Sequence, residues 1–451
     1  MKNIILFTLL FSTFTVFAKQ YNIVDFGAKN DSTVLSTTAV QAAIEACVAN
    51  GGGQVYVPAG QYAIGTVVLK SGVDLHLESG ATLLGSRNLD DYTKIQSAYI
   101  SLRTQTPTVQ LIYAENAENI SITGRGTIDG RGSGFPKLSW NDEGITRPHL
   151  LRMISCRNIL VENVSLRNSG CWMQHYLACE ELRISGVRVF NRNNFNNDAL
   201  DLDGCRNVVV SDFIADSDDD GITLKSTSPR PCENISITNC VVSSRCNAVK
   251  LGTETNGGFR NIRISGIVVK PSTVQAKEFF GRVGGSSALS LEIVDGGTME
   301  NVQVSDMLID GTEVPVFVRL GNRARSYREG LKIENVGAIR GVSISNIRAR
   351  NAGKTGCSIT GLPMFPVEDI TLSNIVIEQS GGGTAADAKS HPAELAADYP
   401  EATMFGTLPA YGFYIRHAKN IVFDGVKITT ANEDSRPVFV LEDTENVKND
   451  N

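Results

Sequence analysis

The stretch Cys205-Arg206-Asn207-Val208-Val209-Val210 decides the fold, because close variants of it recur through the chain. Each variant has a small or apolar residue, a polar residue, an Asn, Asp or Glu, and then an aliphatic alternation. Strong copies begin at Ala117, Cys156, Cys179, Cys232 and Phe259, and weaker copies at Met299, Ile339, Val367 and Ala418. From Cys156 to Phe259 the copies lie 23, 26, 27 and 27 residues apart. A period of about 25 residues, with short strands and no alternating helices, predicts an all-β, right-handed parallel β-helix.

The repeat also predicts which side chains stack on one another. An Asn at one turn position of successive coils indicates an asparagine ladder, whose side chains we expect to bond to the neighbouring backbone. Another repeat position holds Cys156, Cys179, Cys205 and Cys232. Such a row favours a buried ladder of small apolar side chains, and a disulfide framework is the alternative.

The composition describes a globular chain without a strongly basic region. The 451 residues are 42% hydrophobic and 20% charged, and the net charge is −6. The lack of a basic block argues against nucleic acid as a partner, although local lysines still permit an acidic substrate. Because a solenoid grows without a single core, we expect one domain over residues 19–451 and a monomer.

Residues 1–18 have the features of a secretory signal peptide. Lys2 is followed by an apolar run over residues 4–17, and Val16-Phe17-Ala18 forms a cleavage site of small residues. The run is too short to span a membrane, and the first cysteine after the cleavage site is Cys47, which argues against a lipoprotein anchor. We therefore expect export to the periplasm or the cell exterior, with no membrane insertion.

Three segments depart from the repeat. Residues 37–48 carry apolar residues at helical spacing, which predicts a short N-terminal helix that caps the open end of the solenoid. Residues 131–147 and 381–412 are predicted as loops, which on a solenoid usually line the binding face. A flexible insertion without a role is the alternative for 381–412. Residues 443–451 are predicted as a polar tail.

Two carboxylate-rich runs precede neighbouring strands. Residues 196–202 read Asn-Asn-Asp-Ala-Leu-Asp-Leu, and residues 219–225 read Asp-Asp-Gly-Ile-Thr-Leu-Lys. Coils in register lie ~4.8 Å apart, so Asp198, Asp219 and Asp220 should form one patch in which like charges separate the carboxyl pKa values. This arrangement suits an acid–base site with two working carboxylates. A solvated turn or a calcium loop is the alternative.

The strands that follow should point their aliphatic residues inwards and the intervening residues outwards. The predicted inward residues are Leu200, Leu202, Ile222, Leu224, Val249 and Leu251. The predicted outward residues are Asp201, Asp203, Thr223, Lys225, Lys250 and Gly252. Carboxylates for chemistry beside Lys225 and Lys250 for binding suit an acidic sugar, and a charge ladder that only stabilises the sheet is the alternative.

With these motifs the chain resembles the polygalacturonase family of pectin-degrading glycoside hydrolases (family 28). The resemblance covers nearly all of residues 19–451. Its other motifs are Val-Asp-Phe-Gly-Ala at 24–28, Gly-Gly-Gly-Gln-Val-Tyr-Val-Pro-Ala-Gly at 51–60, Arg-Pro at 147–148, Leu-Arg-Asn-Ser at 166–169 and Trp-Met-Gln-His at 172–175. The resemblance implies hydrolysis of galacturonosyl bonds in a pectic poly- or oligosaccharide, with inversion and with no cofactor or metal.

The resemblance also implies roles for the three aspartates. Asp219 would be the general acid, and Asp198 and Asp220 would activate water. Inversion requires the acid and base carboxyl groups to lie ~6.5–9.5 Å apart, which leaves room for that water.

The departures from the family pattern concern the leaving-group side. Asn247 stands where the family has a histidine, and Ser290 and Glu292 stand where it has an arginine and a lysine. That cation pair binds the carboxylate of galacturonate, which a glutamate would repel. We therefore expect a neutral leaving sugar such as rhamnose, in a way similar to rhamnogalacturonan hydrolases; an exo- or endo-acting polygalacturonase is the alternative.

Further site candidates carry weaker signals. Glu254 matches a family segment and is either a sugar ligand or a turn residue. His175 and Trp172 lie one coil before Asp198 and either form a sugar subsite or pack as structural residues. Rival readings of the whole chain are a calcium-dependent lyase, a non-catalytic carbohydrate-binding β-helix, and a hydrolase of another plant or algal glycan.

Overall fold

The computed structural model describes residues 19–137, 146–272 and 285–450. The predicted signal peptide lies outside the described residues, as do residues 138–145 of the first predicted loop. Among the described residues, no helix is long and apolar enough to cross a membrane.

The chain winds into a right-handed parallel β-helix, as the repeat predicts, and its coils contribute to three sheets. The front sheet contains Val67–Val68, Gln110–Glu115, His149–Ile154, Gln174–Leu177, Leu200–Asp203, Ile222–Ser226, Asn247–Thr255, Gly285–Ile293, Thr312–Leu320 and Cys357–Thr360. The back sheet contains Gln20–Asn22, Gly53–Val57, Val73–Leu77, Glu118–Gly124, Arg157–Glu162, Glu180–Ser185, Arg206–Ser211, Cys232–Ser244, Gly258–Val269, Thr298–Asp310, Ala338–Ala352 and Val367–Gln379. The side sheet contains Asp31–Leu35, Gly60–Ile64, Ala81–Gly85, Thr127–Asp129, Ser165–Arg167, Arg188–Asn191 and Ile214–Ser217.

The strands lengthen towards the C-terminus. From Cys232–Ser244 onwards a single strand pairs with both the back and the side sheet. The last two strands, Phe413–Thr430 and Phe439–Asp450, run through the front and back sheets without a break. The second of these corrects the predicted polar tail over 443–451, because Thr444 to Asp450 pair with Ala418 to Asp424. Val447 also packs against the core, which explains why this polar sequence is held as a strand.

A helix over Thr37–Ala49 closes the N-terminal end, as predicted. It buries Val40, Ala43, Ile44 and Cys47 against the first coils. Four single-turn 3-10 helices complete the secondary structure of the described residues, at Ile23–Phe26, Leu89–Asp91, Gly132–Gly134 and Asp387–Lys389. Apart from this last turn, residues 381–412 form an irregular loop, as expected.

One apolar core fills the solenoid, and the predicted inward residues belong to it. Leu200, Leu202, Ile222, Leu224, Val249 and Leu251 are all fully buried. Burying one such aliphatic side chain contributes about 1.5–3 kcal/mol, so the stacked coils supply the main stabilisation. The nine cysteines are buried and unbridged, which confirms the predicted cysteine ladder over the alternative of disulfides.

The asparagine ladder exists, but its bonding differs from the prediction. Asn234 Nδ2 donates to Asn207 Oδ1 at 3.1 Å, and Asn261 and Asn301 continue the series at 3.0 and 2.8 Å. The side chains therefore bond to one another rather than to the backbone. The reason is that each Asn adopts a left-handed φ, between 53° and 57°, at the same turn, which aligns the amide groups along the solenoid axis.

Candidate active site

The three aspartates lie at the head of the front sheet, on adjoining coils. Leu200 pairs with Ile222, and Ile222 pairs with Val249, so Asp198, Asp220 and Asn247 stack in one column. Asp198 is 2% exposed and Asp220 is 3% exposed, whereas Asp219 is half-buried. The register therefore brings together the residues that the sequence predicted as a cluster.

Buried polar side chains hold the two turns that carry these carboxylates. The hydroxyl groups of Ser217 and Ser244 donate to the carbonyl oxygen of Asp219 at 2.9 and 2.7 Å. Asn191 Nδ2 donates to the carbonyl oxygen of Asp198 at 2.9 Å. Asn196, with φ of 54°, places its amide 3.4 Å from Asp219 Oδ2. Fixed backbone turns leave the carboxylates little freedom, which preorganises the site.

Asp219 and Asp220 are adjacent in sequence but differ in protonation. Burial and the Asp220 carboxylate raise the pKa of Asp219 to about 6. Burial alone would raise the pKa of Asp220 as well, but Lys250, Lys225 and a hydrogen bond from Asn247 together lower it. Lys250 Nζ lies 3.2 Å from Asp220 Oδ2, and Asn247 Nδ2 donates to Asp220 Oδ1 at 2.8 Å. One carboxyl is thus suited to hold a proton and its neighbour to remain ionised.

Lys225 lies among carboxylates on the other side of Asp198. Its Nζ is 3.8 Å from Asp198, 3.4 Å from Asp201 and 3.5 Å from Glu254. Burial, Asp201 and Asp219 raise the pKa of Asp198. Burial would lower the pKa of Lys225, but the surrounding carboxylates raise it instead. Lys225, which the sequence predicted as a lysine for binding, therefore carries a charge that the surrounding carboxylates already compensate.

Glu254 is a buried anion inside the strand Asn247–Thr255, so the alternative of a turn residue is wrong. Arg103 forms an ion pair with it, and Arg325 Nη1 lies 3.6 Å from it. Burial would raise the pKa of Glu254, but Arg103, Lys225 and Arg325 hold it well below its ordinary range. The carboxylate organises cations around the cleft, and this is the role its contacts support.

Lys250 and Glu292 lie beneath the cleft, covered by the loop over 381–412. Lys250 is 1% exposed, and the hydroxyl of Tyr399 from that loop lies 3.4 Å from its Nζ. Glu292 is fully buried and accepts a hydrogen bond from Ser290 at 2.7 Å. Burial raises the pKa of Glu292 to about 8, although Lys250 opposes this shift. Burial therefore favours the neutral form of this side chain, which would not repel a sugar carboxylate, contrary to the argument made from its sequence.

His175 is fully buried under the aromatic wall of the site. Its Nε2 lies 3.1 Å from Asp203 Oδ2, and its ring packs 5.0 Å from Trp172 and 6.0 Å from His149. Burial lowers the pKa of His175 to about 4, so the ring is neutral. These contacts make His175 a support for Trp172 rather than a side chain that reaches a sugar directly.

Four cleft residues were not named from the sequence because they come from loops outside the repeat, although the loop that holds Tyr399, residues 381–412, was predicted to line the binding face. Arg103, Arg323, Arg325 and Tyr399 line a cleft of about 230 Å³ together with the three aspartates. The spacing of the copies could have indicated such loops, because Phe259, Met299 and Ile339 lie 40 residues apart rather than 27. Arg323 and Arg325 belong to the second of these enlarged coils.

Asp219, Asp220 and Cys246 form a group whose possible ligand atoms all lie within 4.8 Å of one another. The carboxyl groups of Asp219 and Asp220 are thus closer than the ~6.5–9.5 Å expected for the acid and base of an inverting enzyme, so inversion rests on the family resemblance rather than on this distance. Burial and the nearby Glu401 raise the pKa of the Cys246 thiol, and Asp220 already accepts from Lys250 and Asn247. Calcium prefers six to eight oxygen ligands, so this donor set fits a carboxylate pair better than a calcium loop.

Comparisons with known proteins agree with this geometry. The family model described as glycosyl hydrolases family 28 matches residues 47–397. A probable polygalacturonase of Vitis vinifera is 27% identical over 411 residues, which cover 87% of this chain and 80% of that protein. A probable rhamnogalacturonase A of Aspergillus oryzae is 28% identical over 243 residues, which cover 53% of this chain and 46% of that protein.

The fold has a solved counterpart in the exopolygalacturonase of Thermotoga maritima. The two structures superpose with a TM-score of 0.69 at 22% identity, over 90% of this chain and 92% of that one. The β-helix, the clustered aspartates and the family match over residues 47–397 thus confirm the sequence-based resemblance, and the chain is a glycoside hydrolase that belongs to glycosyl hydrolases family 28.

Proposed function

We propose that this protein hydrolyses α-galacturonosyl linkages of a pectic chain with inversion. Asp219 protonates the glycosidic oxygen, and Asp198 and Asp220 activate the water that attacks the anomeric carbon, with the ionised Asp220 accepting its proton. The observation that supports these roles is the unequal charge environment of the adjacent pair. Asp219 has a raised pKa of about 6, and Asp220 is paired with Lys250 at 3.2 Å.

We further propose that the leaving sugar is rhamnose. The positions in which the family resemblance places binding cations hold Ser290 and Glu292, which are buried and hydrogen-bonded to each other. Asn247, in place of the family histidine, is occupied with Asp220. None of these three side chains presents a positive charge, so a neutral sugar fits this side of the cleft without an unpaired carboxylate.

A second candidate is the hydrolysis of homogalacturonan, and Arg323 favours it. Arg323 lines the cleft, its guanidinium lies 5.0 Å from the ring of Tyr399, and its Nη1 has no hydrogen-bond partner among the described residues. This loop residue would supply the cation that the strand positions 290 and 292 lack. A leaving galacturonate would then still find a partner for its carboxylate.

Product analysis of the purified protein on rhamnogalacturonan oligosaccharides and on oligogalacturonates tests both candidates. Cleavage of the first substrate only supports rhamnose as the leaving sugar, and a preference for the second supports homogalacturonan. In the second case Arg323→Gln should lower kcat/KM on oligogalacturonates about 10- to 100-fold, because a charged hydrogen bond is lost. Arg328→Gln, at an exposed position of the same loop, is the matched control.

Export remains a proposal that rests on residues 1–18. The apolar run and the Val16-Phe17-Ala18 site support secretion, which would place the enzyme where pectic polymers are found. N-terminal sequencing of the mature protein after expression with its leader tests the proposal, and a start at Lys19 is expected.

A further inference from the structure

The loop over residues 381–412 brings a further carboxyl group, that of Glu401, to the head of the front sheet. Glu401 is 4% exposed, and its Oε1 accepts hydrogen bonds from the hydroxyl of Ser286 and, at 3.0 Å, from the backbone N–H of Ala402. The thiol of Cys246 donates to its other oxygen, Oε2, at 3.7 Å. Cys246 lies directly before one front-sheet strand and Ser286 lies within the next, so Glu401 joins the loop to two neighbouring coils.

A chain of hydrogen bonds leads from Glu401 to Asp220. Burial and the nearby Glu401 raise the pKa of the Cys246 thiol, so the sulfur keeps its proton and donates it to the Glu401 carboxyl. The same sulfur accepts a hydrogen bond from Asn247 Nδ2 at 3.2 Å, and Asn247 Nδ2 also donates to Asp220 Oδ1 at 2.8 Å. An amide nitrogen carries two hydrogens, so both bonds form at once.

These contacts fix the amide of Asn247 at both ends. Its Oδ1 accepts from the hydroxyl of Ser287 at 2.6 Å, while its Nδ2 is shared between Cys246 and Asp220. The backbone N–H of Asn247 donates to the same oxygen of Asp220 at 3.2 Å. The orientation of the Asp220 carboxylate therefore depends on where Asn247 is held.

Apolar contacts already attach this part of the loop to the front sheet. Ala402 is 2% exposed and packs in one cluster with Val314 and Phe317. The adjacent carboxyl of Glu401 adds a cost, because its burial disfavours the charged form and raises its pKa. A polar side chain that is buried at such a cost beside the working carboxylates indicates a role in the site.

We propose that Glu401 is a positioning residue for Asp220. Through Cys246 and Asn247 it holds the carboxylate that accepts the proton of the attacking water. The orientation of this base then depends on the loop over 381–412, whichever sugar leaves. This inference rests on the proposed function, which assigns Asp220 its role.

The first test removes the carboxyl group. Glu401→Ala deletes the acceptor of the Cys246 thiol and loosens Asn247, so kcat should fall about 10- to 100-fold while KM changes little, because a hydrogen bond to a charged group is weakened. The bond from Asn247 lowers the pKa of Asp220, so the acidic limb of the pH profile of kcat should move to higher pH by about 0.5–1 unit.

The direction of this shift distinguishes positioning from a charge effect. If Glu401 acted on Asp220 only through a negative charge, its removal would lower the pKa of Asp220 and move the limb to lower pH. A limb that moves down, or that does not move, would overturn the proposal. The substitution leaves unchanged the other titratable groups that act on Asp220, namely Asp198, Asp201, Asp219, Lys225, Lys250 and Glu292.

Glu394→Ala is the matched control, because it removes another carboxylate of the same loop. Glu394 lies 3.4 Å from Arg416 and 3.0 Å from His417, so its loss also weakens the attachment of the loop. This variant should lower Tm without moving the acidic limb. The same shift in both variants would show that any loosening of the loop disturbs Asp220, which would contradict a specific role for Glu401.

Cys246 provides a second arm that leaves Glu401 and the apolar contacts of the loop in place. Cys246→Ala should reproduce the upward shift of the acidic limb, and Cys246→Ser, whose hydroxyl both donates and accepts, should restore the limb to its original position. The kcat of the double variant Glu401→Ala/Cys246→Ala should be no lower than that of the weaker single variant, since both substitutions break one chain. Additive losses in kcat would contradict that chain.

A direct titration separates this inference from the proposed function. The carboxyl ¹³C resonance of Asp220, assigned by its loss in Asp220→Asn, should titrate at higher pH in Glu401→Ala and in Cys246→Ala than in the wild-type protein. This readout needs no substrate, so it decides the positioning role even if no pectic oligosaccharide is cleaved and the proposed function fails. Equal titration in the three proteins would overturn the inference.

Discussion

The back sheet and the front sheet stack their side chains by the same register, with opposite consequences. On the back, Asn207, Asn234 and Asn261 each carry a donor and an acceptor, so the stack is a chain of exposed hydrogen bonds. On the front, the carboxylates of Asp198 and Asp220 can only accept hydrogen bonds. Because they are buried in one column, their negative charges repel each other. The register therefore only stacks the side chains. Their chemistry decides whether a column stabilises the coil or forms a reactive site.

The first prediction concerns the loss of the general acid, Asp219, beside the front column. Asp219→Asn should lower kcat about 10³-fold, because an amide cannot deliver a proton to the glycosidic oxygen. Asp218→Asn is the matched control: Asp218 is the preceding residue, and it pairs with Arg245 at 2.6 Å rather than lining the cleft. Both rates are measured on the oligosaccharide that the wild-type protein prefers.

The pH dependence of the wild-type protein belongs to the same prediction. Asp219 must be protonated to act, and its pKa is about 6, so kcat should fall as the pH rises above that value. Asp220 must be ionised, and its lowered pKa keeps it so in the range where Asp219 holds its proton. A rate that stays constant up to pH 8 would contradict this division of roles.

The second prediction removes Lys250, the cation that pairs with Asp220. Lys250→Met should lower kcat/KM about 10- to 100-fold and shift both limbs of the pH profile upwards by about 1 unit or more, since an opposite charge lowers a carboxyl pKa by 1–3 units. The sign is the same for both limbs, because Lys250 lowers the pKa of Asp219 and of Asp220. The limbs report apparent values of the coupled pair.

Lys250→Arg is the control for this charge effect. It retains the positive charge, so it should restore the position of the pH profile even where the bulkier side chain reduces the rate. A profile that does not move in Lys250→Met would show that Lys250 only fills space beneath Tyr399.

The fold was predictable because it depends on a pattern that the sequence repeats. The spacing of the copies, the inward aliphatics and the cysteine row each follow from one coil being stacked on the next. The last strand was missed, because its polar residues lie at the end of the solenoid and owe their order to pairing with Phe413–Thr430. Such pairing is a tertiary contact that local composition does not encode.

The site was predictable only where it lies on the repeat. Asp198, Asp219 and Asp220 came from strand heads, and the register places them together. Arg103, Arg323, Arg325 and Tyr399 come from loops whose path no periodicity describes. The charge of Glu292 was misjudged for a related reason, because burial, which the sequence does not show, decides whether a carboxyl is ionised.

The third prediction tests whether burial raises the pKa of Glu292 in the folded protein. Its pKa in the folded protein is about 8, against an ordinary value of 4.5, so between these values the folded state binds a proton that the unfolded state releases. Stability from this group is complete below about pH 4.5 and is lost as the pH rises towards 8.

Glu292→Gln should therefore reduce the drop in Tm between pH 5 and pH 8, by ~2 °C or more. Thermal unfolding of both proteins at the two pH values is the measurement. An unchanged drop would mean that Glu292 is ionised in the fold and that its charge does face the leaving sugar.

The smallest effect is expected on the back sheet, at Asn234. Asn234→Gly keeps the left-handed turn but removes the ladder bonds to Asn207 and from Asn261, which should cost about 1 kcal/mol in the free energy of unfolding. Asn234→Ala loses the same bonds and must also hold φ near 57°, which adds ~1–2 kcal/mol. Urea unfolding of the two variants separates the bonding from the backbone contribution.

Neither substitution should alter kcat/KM, because Asn234 lies on the back sheet, across the core from the aspartates. A loss of activity that is larger than the loss of stability explains would show that the two sheets are coupled through the coil. In that case the asparagine ladder of the back sheet would help to set the register on which Asp198 and Asp220 depend. The back sheet would then contribute to activity as well as to stability.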